Sequence, residues 1–195
     1  MDNGKTSDYV KRVFDIVLAV LLALLLLVPL LLLSMAVRLT SRGPTLYWSD
    51  RVGRNNTIFK MPKFRSMQTG TPVVATHLLS NPDACLTPIG SFLRRSSLDE
   101  LPQLWNILKG DMSFVGPRPA LFNQYDLIEL RTRYGVDALL PGLTGWAQIN
   151  GRDELPIPQK VILDVEYLNK KSLCFDIKII FQTVLKVIKR DNVTH

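Results

Sequence analysis

The first forty residues carry one long apolar block, and everything after it alternates short apolar runs with charges and turn residues. From Ile16 to Val37 the chain reads IVLAVLLALLLLVPLLLLSMAV, 22 residues without a charge, or ~33 Å if wholly helical, enough to cross the hydrocarbon core of a bilayer. The run is too long for the apolar part of a secretory leader, and no small-x-small pattern closes it cleanly, so it is expected to stay in the mature chain. Lys11 and Arg12 precede it, and Arg38, Arg42, Arg51, Arg54, Lys60, Lys63 and Arg65 follow with only Asp50 against them. Basic flanks favour the cytoplasm, so both ends belong on one side. Pro29 lacks an N–H and clashes with the carbonyl one turn back, which lets the helix bend and return both ends to one face. A straight crossing that tolerates the proline meets the length requirement equally well, and the pattern alone leaves the two open.

Beyond the block, TLYWSDRVGRNNTIFKMPKFRSM places short apolar runs around Asn-Asn and Gly turn signals and predicts strands or a hairpin. GTPVVATHLLSNPDACLTP is broken by Pro72, Pro82 and Pro88 and reads mostly as loop. Helical patterns follow at 99–109, 119–134 and 157–170, separated by KGDMSFVGPRP and LPGLTGWAQINGRD with Gly and Pro at turn positions. The last pattern, 172–190, is amphipathic: Lys178, Gln182, Lys186 and Lys189 oppose Leu173, Phe175, Ile177, Ile180, Phe181, Val184, Leu185 and Ile188. Such a stripe ordinarily packs on a core; beside a membrane anchor, and with lysines on its polar face, it equally suits a helix lying in the bilayer interface. The predicted class is α/β: an anchoring segment over residues 1–40, then one domain over 41–195 with several helices and a small sheet.

Composition narrows the partners. The 24 Lys and Arg against 17 Asp and Glu leave a net charge of +7, which favours an anionic partner such as a phosphorylated small molecule, an anionic bilayer or nucleic acid. Cys85 and Cys174 have neither CxxC spacing nor histidines beside them, which suggests neither a zinc site nor a disulfide framework. His77 and His195 are the two histidines, so acid-base or nucleophilic work falls to carboxylates.

One carboxylate pair stands out. In SSLDELPQLWNILKGDMSFVGPRP, Asp99 and Glu100 follow Arg94 and Arg95 and precede a rigid Gly-Pro-Arg-Pro that holds Arg118. Ser97 and Glu100 fit the S-x-x-E capping box, but that choice puts Pro102 at the fifth helical position, where its missing N–H is costly. Starting the helix at Asp99 puts Pro102 in the first turn and both carboxylates at the positive end of the dipole, held ionised. An ionised aspartate is a competent nucleophile toward phosphorus once the phosphate charge is neutralised. Arg94, Arg95, Arg118, Lys63 and Arg65 can neutralise it, and hard carboxylate oxygens suit Mg²⁺. For any single base, a solvated surface charge is the commoner reading.

KFRSM, RRSSLDELPQLWNILKGDMSFVGPRP and PGLTGWAQINGR, in that order behind an apolar N-terminal segment, resemble the bacterial sugar transferase family, the monotopic polyprenyl-phosphate phosphoglycosyl transferases, over about Lys11 to Lys189. Without the membrane bundle of larger members, the chain looks like the small form of that family. The resemblance implies transfer of a phosphosugar from a UDP-sugar, expected to be N-acetylated, to undecaprenyl phosphate, with release of UMP. Asp99 and Glu100 match the family's catalytic dyad: Asp99 as the nucleophile that becomes covalently phosphoglycosylated and also contacts Mg²⁺, Glu100 as a support for the metal or a proton transfer. Arg94 and Arg118 match arginines near the phosphates, Lys63 matches the KFRSM lysine, and Asp164 matches a further acidic position. The resemblance also implies a helix that enters the membrane, breaks at Pro29 and returns, so that the catalytic domain lies on the cytoplasmic face of the bacterial inner membrane, with downstream glycosyltransferases as possible partners. Family members commonly have Ser-Pro at the break, whereas Val28-Pro29 offers no hydroxyl to the freed carbonyls. Two other readings are distinguishable: a transferase that moves only the sugar and releases UDP, and a membrane-tethered nucleic-acid binder using Arg38 to Arg65. The second explains the charge but neither the acid pair nor Pro-Arg-Pro, so no nucleic-acid partner is expected.

Overall fold

The computed structural model describes residues 3–72, 81, 83–151 and 155–188. His77, Pro82, Arg152 and Lys189, and with them parts of the predicted loop and the end of the predicted last helix, lie outside the described residues.

The apolar block forms two helices, α1 (Asn3–Leu25) and α2 (Leu27–Thr40), bent by 64° at Leu26. Pro29 explains the place of the bend, since the proline nitrogen cannot donate to the carbonyl of Leu25 four residues back. The neighbouring bonds survive: Leu26 N–H donates to Leu22 O and Leu30 N–H to Leu26 O, both at 2.8 Å. The chain therefore kinks without unwinding. α1 is not a detached anchor, because Ala19 is fully buried and Leu18, Leu22 and Ala23 pack against the main core. At its start, Arg12 donates to Ile107 O at 2.6 Å and Leu108 O at 2.8 Å, so a cation closes the C-terminal carbonyls of a core helix. At the far end of α2, Val37 is buried with Phe64 and Leu93.

The Asn-Asn signal makes the hairpin: β1 (Leu46–Val52) pairs antiparallel with β2 (Ile58–Phe64), in register from Leu46 opposite Phe64 to Val52 opposite Ile58. Asn55 and Asn56 take positive φ angles of 53° and 58° at the turn, a conformation asparagine tolerates better than most residues. α3 (Gly90–Arg95) leads into a 3-10 turn over Leu98–Gln103 and then α4 (Leu104–Lys109), which Gly110 ends at φ 100°. β3 (Ser113–Val115) follows, then α5 (Tyr125–Arg133), β4 (Gly142–Thr144), α6 (Trp146–Ile149), α7 (Ile157–Lys170) and α8 (Leu173–Ile188). β3 and β4 pair in parallel, Ser113 opposite Gly142 and Val115 opposite Thr144.

α7 has the predicted bounds, and α8 falls within the predicted 172–190. The pattern over 119–134 delivers a helix only from Tyr125, because Pro119 to Gln124 turn instead, with the Gln124 side chain accepting from Leu121 N–H at 2.8 Å. The separators around VGPRP and LPGLTG contain the two short strands. Their approach is backbone on backbone: a Cβ on Gly142 would lie 2.1 Å from Gly116 N, and one on Gly145 2.1 Å from Gly116 O. Only glycine permits that spacing.

Candidate active site

Ser97 sits in the left-handed region at φ 58° and makes no capping bond through its side chain, so the capping box that S-x-x-E fits, and that Pro102 argued against, does not form. The helix reading that begins at Asp99 is nearer, though the turn is 3-10, with Pro102 inside it and α4 starting only at Leu104. Such a short turn carries little macrodipole. The carboxylates owe their protonation behaviour to neighbouring side chains instead.

Those neighbours come from β2 and from the Gly-Pro-Arg-Pro loop. Lys63 Nζ donates to Glu100 Oε1 at 2.8 Å, and Arg118 Nη2 donates to the same oxygen at 3.2 Å. Glu100 is thus held by two cations from segments 37 and 18 residues away. Asp99 is 7% exposed and makes no hydrogen bond through its carboxylate among the described residues. Burial pushes the Asp99 carboxyl above the ordinary aspartate value; the charge of Glu100 adds to this, while Lys63, Arg94 and Arg118 oppose it. For Glu100 burial acts in the same upward sense, but the charges and hydrogen bonds of Lys63 and Arg118 outweigh it and bring the carboxyl down to about 2. The expectation that the dipole keeps both acids ionised is therefore corrected: Glu100 is firmly anionic through its two cations, and Asp99 gains a proton more readily than a free aspartate.

Arg118 is fixed along its length. It stands between Pro117 and Pro119, its carbonyl accepts from Arg131 Nη1 at 2.8 Å, and Pro119 O accepts from Arg51 Nη1 at 3.1 Å. Arg131 is in turn held by Asp164, whose Oδ2 accepts from Nε at 2.9 Å and Nη2 at 2.7 Å. Asp164 is 2% exposed and Arg131 8%. Burial raises the Asp164 carboxyl, and Arg131 opposes the rise. Asp164 therefore braces the backbone of Arg118 through Arg131. Of the other predicted residues, Arg94 on α3 acts electrostatically on Asp99, and Arg95 is exposed at the end of the same helix.

Sequence reading passed over Arg131. Its signal is positional: on α5 the buried residues are Leu127 and Arg131, four apart on the inward face, and an inward arginine in a core requires a carboxylate partner. Also unforeseen is a buried cluster behind β3, where Lys11 Nζ meets Asp176 Oδ2 at 2.5 Å and the Tyr167 hydroxyl donates to Asp176 Oδ1 at 2.8 Å. Burial raises the Asp176 carboxyl, against the opposing pull of Lys11.

The carboxylates suit a small hard cation in one respect: two adjacent oxygen donors, one of them without a hydrogen-bond donor of its own among the described residues, match the one or two carboxylates with which Mg²⁺ is usually held when substrate phosphates complete its shell. No group of three or more His, Cys, Asp or Glu side chains that could hold a metal occurs among the described residues, so the substrate would have to supply the remaining oxygens.

A hydrophobic bent helix pair docked on a small α/β body lies beside a site made of a buried aspartate, a doubly anchored glutamate and a Pro-Arg-Pro arginine. The model for the family described as bacterial sugar transferase matches residues 6–190, and the chain belongs to that family. It is 44% identical over 193 residues to the undecaprenyl-phosphate glucose phosphotransferase of Komagataeibacter xylinus, covering 91% of this chain and 36% of that protein. It is 46% identical over 187 residues to the UDP-glucose:undecaprenyl-phosphate glucose-1-phosphate transferase of Escherichia coli K12, covering 90% of this chain and 39% of the relative. It is also 39% identical over 190 residues to the exopolysaccharide production protein ExoY of Sinorhizobium fredii, covering 89% of this chain and 83% of the relative. The chain thus spans about two fifths of the length of the first two relatives.

Proposed function

We propose that the chain is a phosphoglycosyl transferase that moves a sugar-1-phosphate from a UDP-sugar to undecaprenyl phosphate at the cytoplasmic face of the bacterial inner membrane, an opening step in surface glycan assembly. The observation that carries this reading is the pairing of unlike acids: Glu100 is tied to Lys63 and Arg118, whereas the buried Asp99 keeps its oxygens out of those ion pairs. The relatives' names supply the substrate class, an undecaprenyl-phosphate acceptor and a UDP-glucose donor.

In the first half-reaction an Asp99 oxygen attacks the sugar-bearing phosphorus of the donor. The bond from that phosphorus to the bridging oxygen breaks, and UMP departs with the electron pair. In the second, an oxygen of undecaprenyl phosphate attacks the same phosphorus, the bond to Asp99 breaks, and the carboxylate is regenerated. Two displacements at one site spare the enzyme from aligning two anionic substrates at once. Lys63, Arg94 and Arg118 surround the dyad with positive charge that can receive the anionic phosphates. Asp99 and Glu100 would hold Mg²⁺, which supplies charge neutralisation at the transferring phosphate. Burial of Asp99 limits water, which would otherwise hydrolyse the adduct.

The docking of the bent helices supports a re-entrant anchor. The start of α1 is tied to α4 through Arg12, and the end of α2 to β2 and α3 through Val37, so both ends meet the same polar body. Between them Leu21, Leu24, Leu25, Val28, Leu31 and Leu32 are exposed. From Ile16 to the bend is ten residues, ~15 Å of helix and about half a hydrocarbon core.

Incubation of the purified chain with a panel of UDP-sugars and Mg²⁺, without lipid, tests the reaction. UDP-glucose and UDP-galactose head the panel, beside the N-acetylated donors expected from the resemblance. The expected result is release of UMP up to about one equivalent per site, with a phosphosugar adduct in the intact mass, both lost in Asp99→Asn. UMP that appears only with undecaprenyl phosphate, and no adduct under any condition, overturns the covalent role; release of UDP overturns the phosphoglycosyl transfer.

A further inference from the structure

β3 is three residues long, and β4 covers only one of its edges. A buried strand edge without partners is costly, so the groups on the other edge are informative. Phe114 N–H donates to Asp15 Oδ1 at 3.2 Å, and Val115 O accepts from Lys11 Nζ at 3.1 Å. Lys11 and Asp15 lie four apart on one face of α1, and Asp15 is 1% exposed. The membrane-anchoring helix thus stands in for a missing strand, one side chain accepting and one donating. The Tyr167 hydroxyl, 3.2 Å from Val115 O, and Asp176, which pairs with Lys11, hold the lysine in place. Immediately after Val115 the chain runs through Gly116 and Pro117 to Arg118, which meets Glu100.

We propose that Lys11 and Asp15 are positioning residues for Arg118: by completing the free edge of β3, the anchor helix fixes the strand that delivers the Pro-Arg-Pro loop to the acid dyad. Seating of the anchor on the body is then a condition for an ordered phosphate-binding loop. The role assigned to Arg118 rests on the function proposed above; the edge completion itself does not.

The test uses the full chain in lipid nanodiscs and reads amide hydrogen exchange in peptides from 111–121, 46–64 and 157–170. Asp15→Ala should speed exchange at Phe114 by about tenfold or more, since the amide loses its acceptor, and Lys11→Met should loosen 113–118. The hairpin and α7 should keep their protection. Asp15→Asn retains an acceptor oxygen and should stay near the parent chain. Lys171→Met, which removes the exposed Lys171–Asp8 pair holding the same helix, should leave 113–118 unchanged. Unaltered protection at 113–118 in both Asp15→Ala and Lys11→Met overturns the proposal, as does equal loosening of all three regions or an effect of Lys171→Met as large as that of Lys11→Met. With UDP-glucose as donor, Lys11→Met and Asp15→Ala should lower kcat for UMP release by about tenfold with little change in KM, and Lys11→Arg should recover part of the loss; a rise in KM alone contradicts the positioning role. If the parent chain releases no UMP from any donor, the proposed function fails while the exchange result still decides the edge completion.

Discussion

Replacing Glu100 with glutamine in a chain that already carries Asp99→Asn should flatten the acid side of its stability curve. Glu100 lies at about 2 against an ordinary 4.5 because Lys63 and Arg118 together overcome its burial. A carboxylate whose folded value is depressed adds stability that is fully present above the unfolded value and lost as pH falls through the folded one, here between 4.5 and about 2. At ~1.4 kcal/mol for each tenfold change in proton affinity, the drop from 4.5 to about 2 amounts to about 3 kcal/mol. About 2 kcal/mol of this should be gone by pH 3. Asp99 works in the opposite sense: its raised carboxyl makes its charge a cost at neutral pH that protonation relieves, and the Asp99→Asn background removes that coupling. Thermal unfolding followed by tryptophan fluorescence at fixed ionic strength, from pH 7 to pH 3, gives the difference between Asp99→Asn and Asp99→Asn/Glu100→Gln. The gap should narrow by about 2 kcal/mol over that range, while Glu129→Gln, which removes one partner of an exposed pair on α5, should show almost no narrowing. Parallel curves for the two chains below pH 5 would refute the assignment of Lys63 and Arg118 as the groups that hold Glu100 ionised.

Asp164→Ala should lower stability by about 3–5 kcal/mol by leaving Arg131 buried without its partner, whereas Arg131→Met with Asp164→Leu should regain much of the melting temperature yet stay slow in UMP release, since the carbonyl of Arg118 loses its brace. Lys63→Met removes the largest charge lowering the Asp99 carboxyl, so the acid limb of donor turnover should move to higher pH in a pH–rate profile. Cysteines placed before Lys11 and after Arg42 should label from the same, cytoplasmic, side in inverted vesicles, and Pro29→Leu should straighten the bend and place them on opposite sides. If α8 lies in the bilayer surface, Phe181→Ser with Leu185→Ser, which removes two exposed apolar side chains, should weaken salt-resistant binding of the chain to anionic vesicles in flotation.

Elements with a local cause were legible from sequence. The hairpin turn follows from two asparagines that accept positive φ, and α7 from a periodicity sustained over its whole length; for the bend, the missing N–H at Pro29 marked the place, while the residues alone left a straight crossing open. β3 and β4 were not, because three residues are too few for an alternation, and their pairing rests on contacts of Gly116 with Gly142 and Gly145 that exist only once distant segments meet. The site divides along the same line. Asp99, Glu100, Lys63 and Arg118 stood out by motif, and the structure joins Glu100 to both cations. What motif could not give was the asymmetry of the two acids, which depends on burial and on which carboxylate the cations choose. Nor could it give Arg131, whose partner Asp164 lies 33 residues further on.

Under the proposed function, the seating of both ends of the bent helix on one body has a geometric consequence for the lipid acceptor. Under the re-entrant reading, no flexible tether separates membrane and dyad, so the height of Asp99 above the bilayer is set by helix length and packing as a spacer sets a gap. A polyprenyl chain drawn out of the bilayer costs ~0.8 kcal/mol for each methylene-sized group exposed to water, so lifting even two isoprene units would cost about 8 kcal/mol, as much as a micromolar binding energy supplies. Under the proposed function, a dyad held at a fixed height close to the bilayer would remove that cost: the carrier's phosphate would react where it already floats, and the water-soluble donor would make the journey instead.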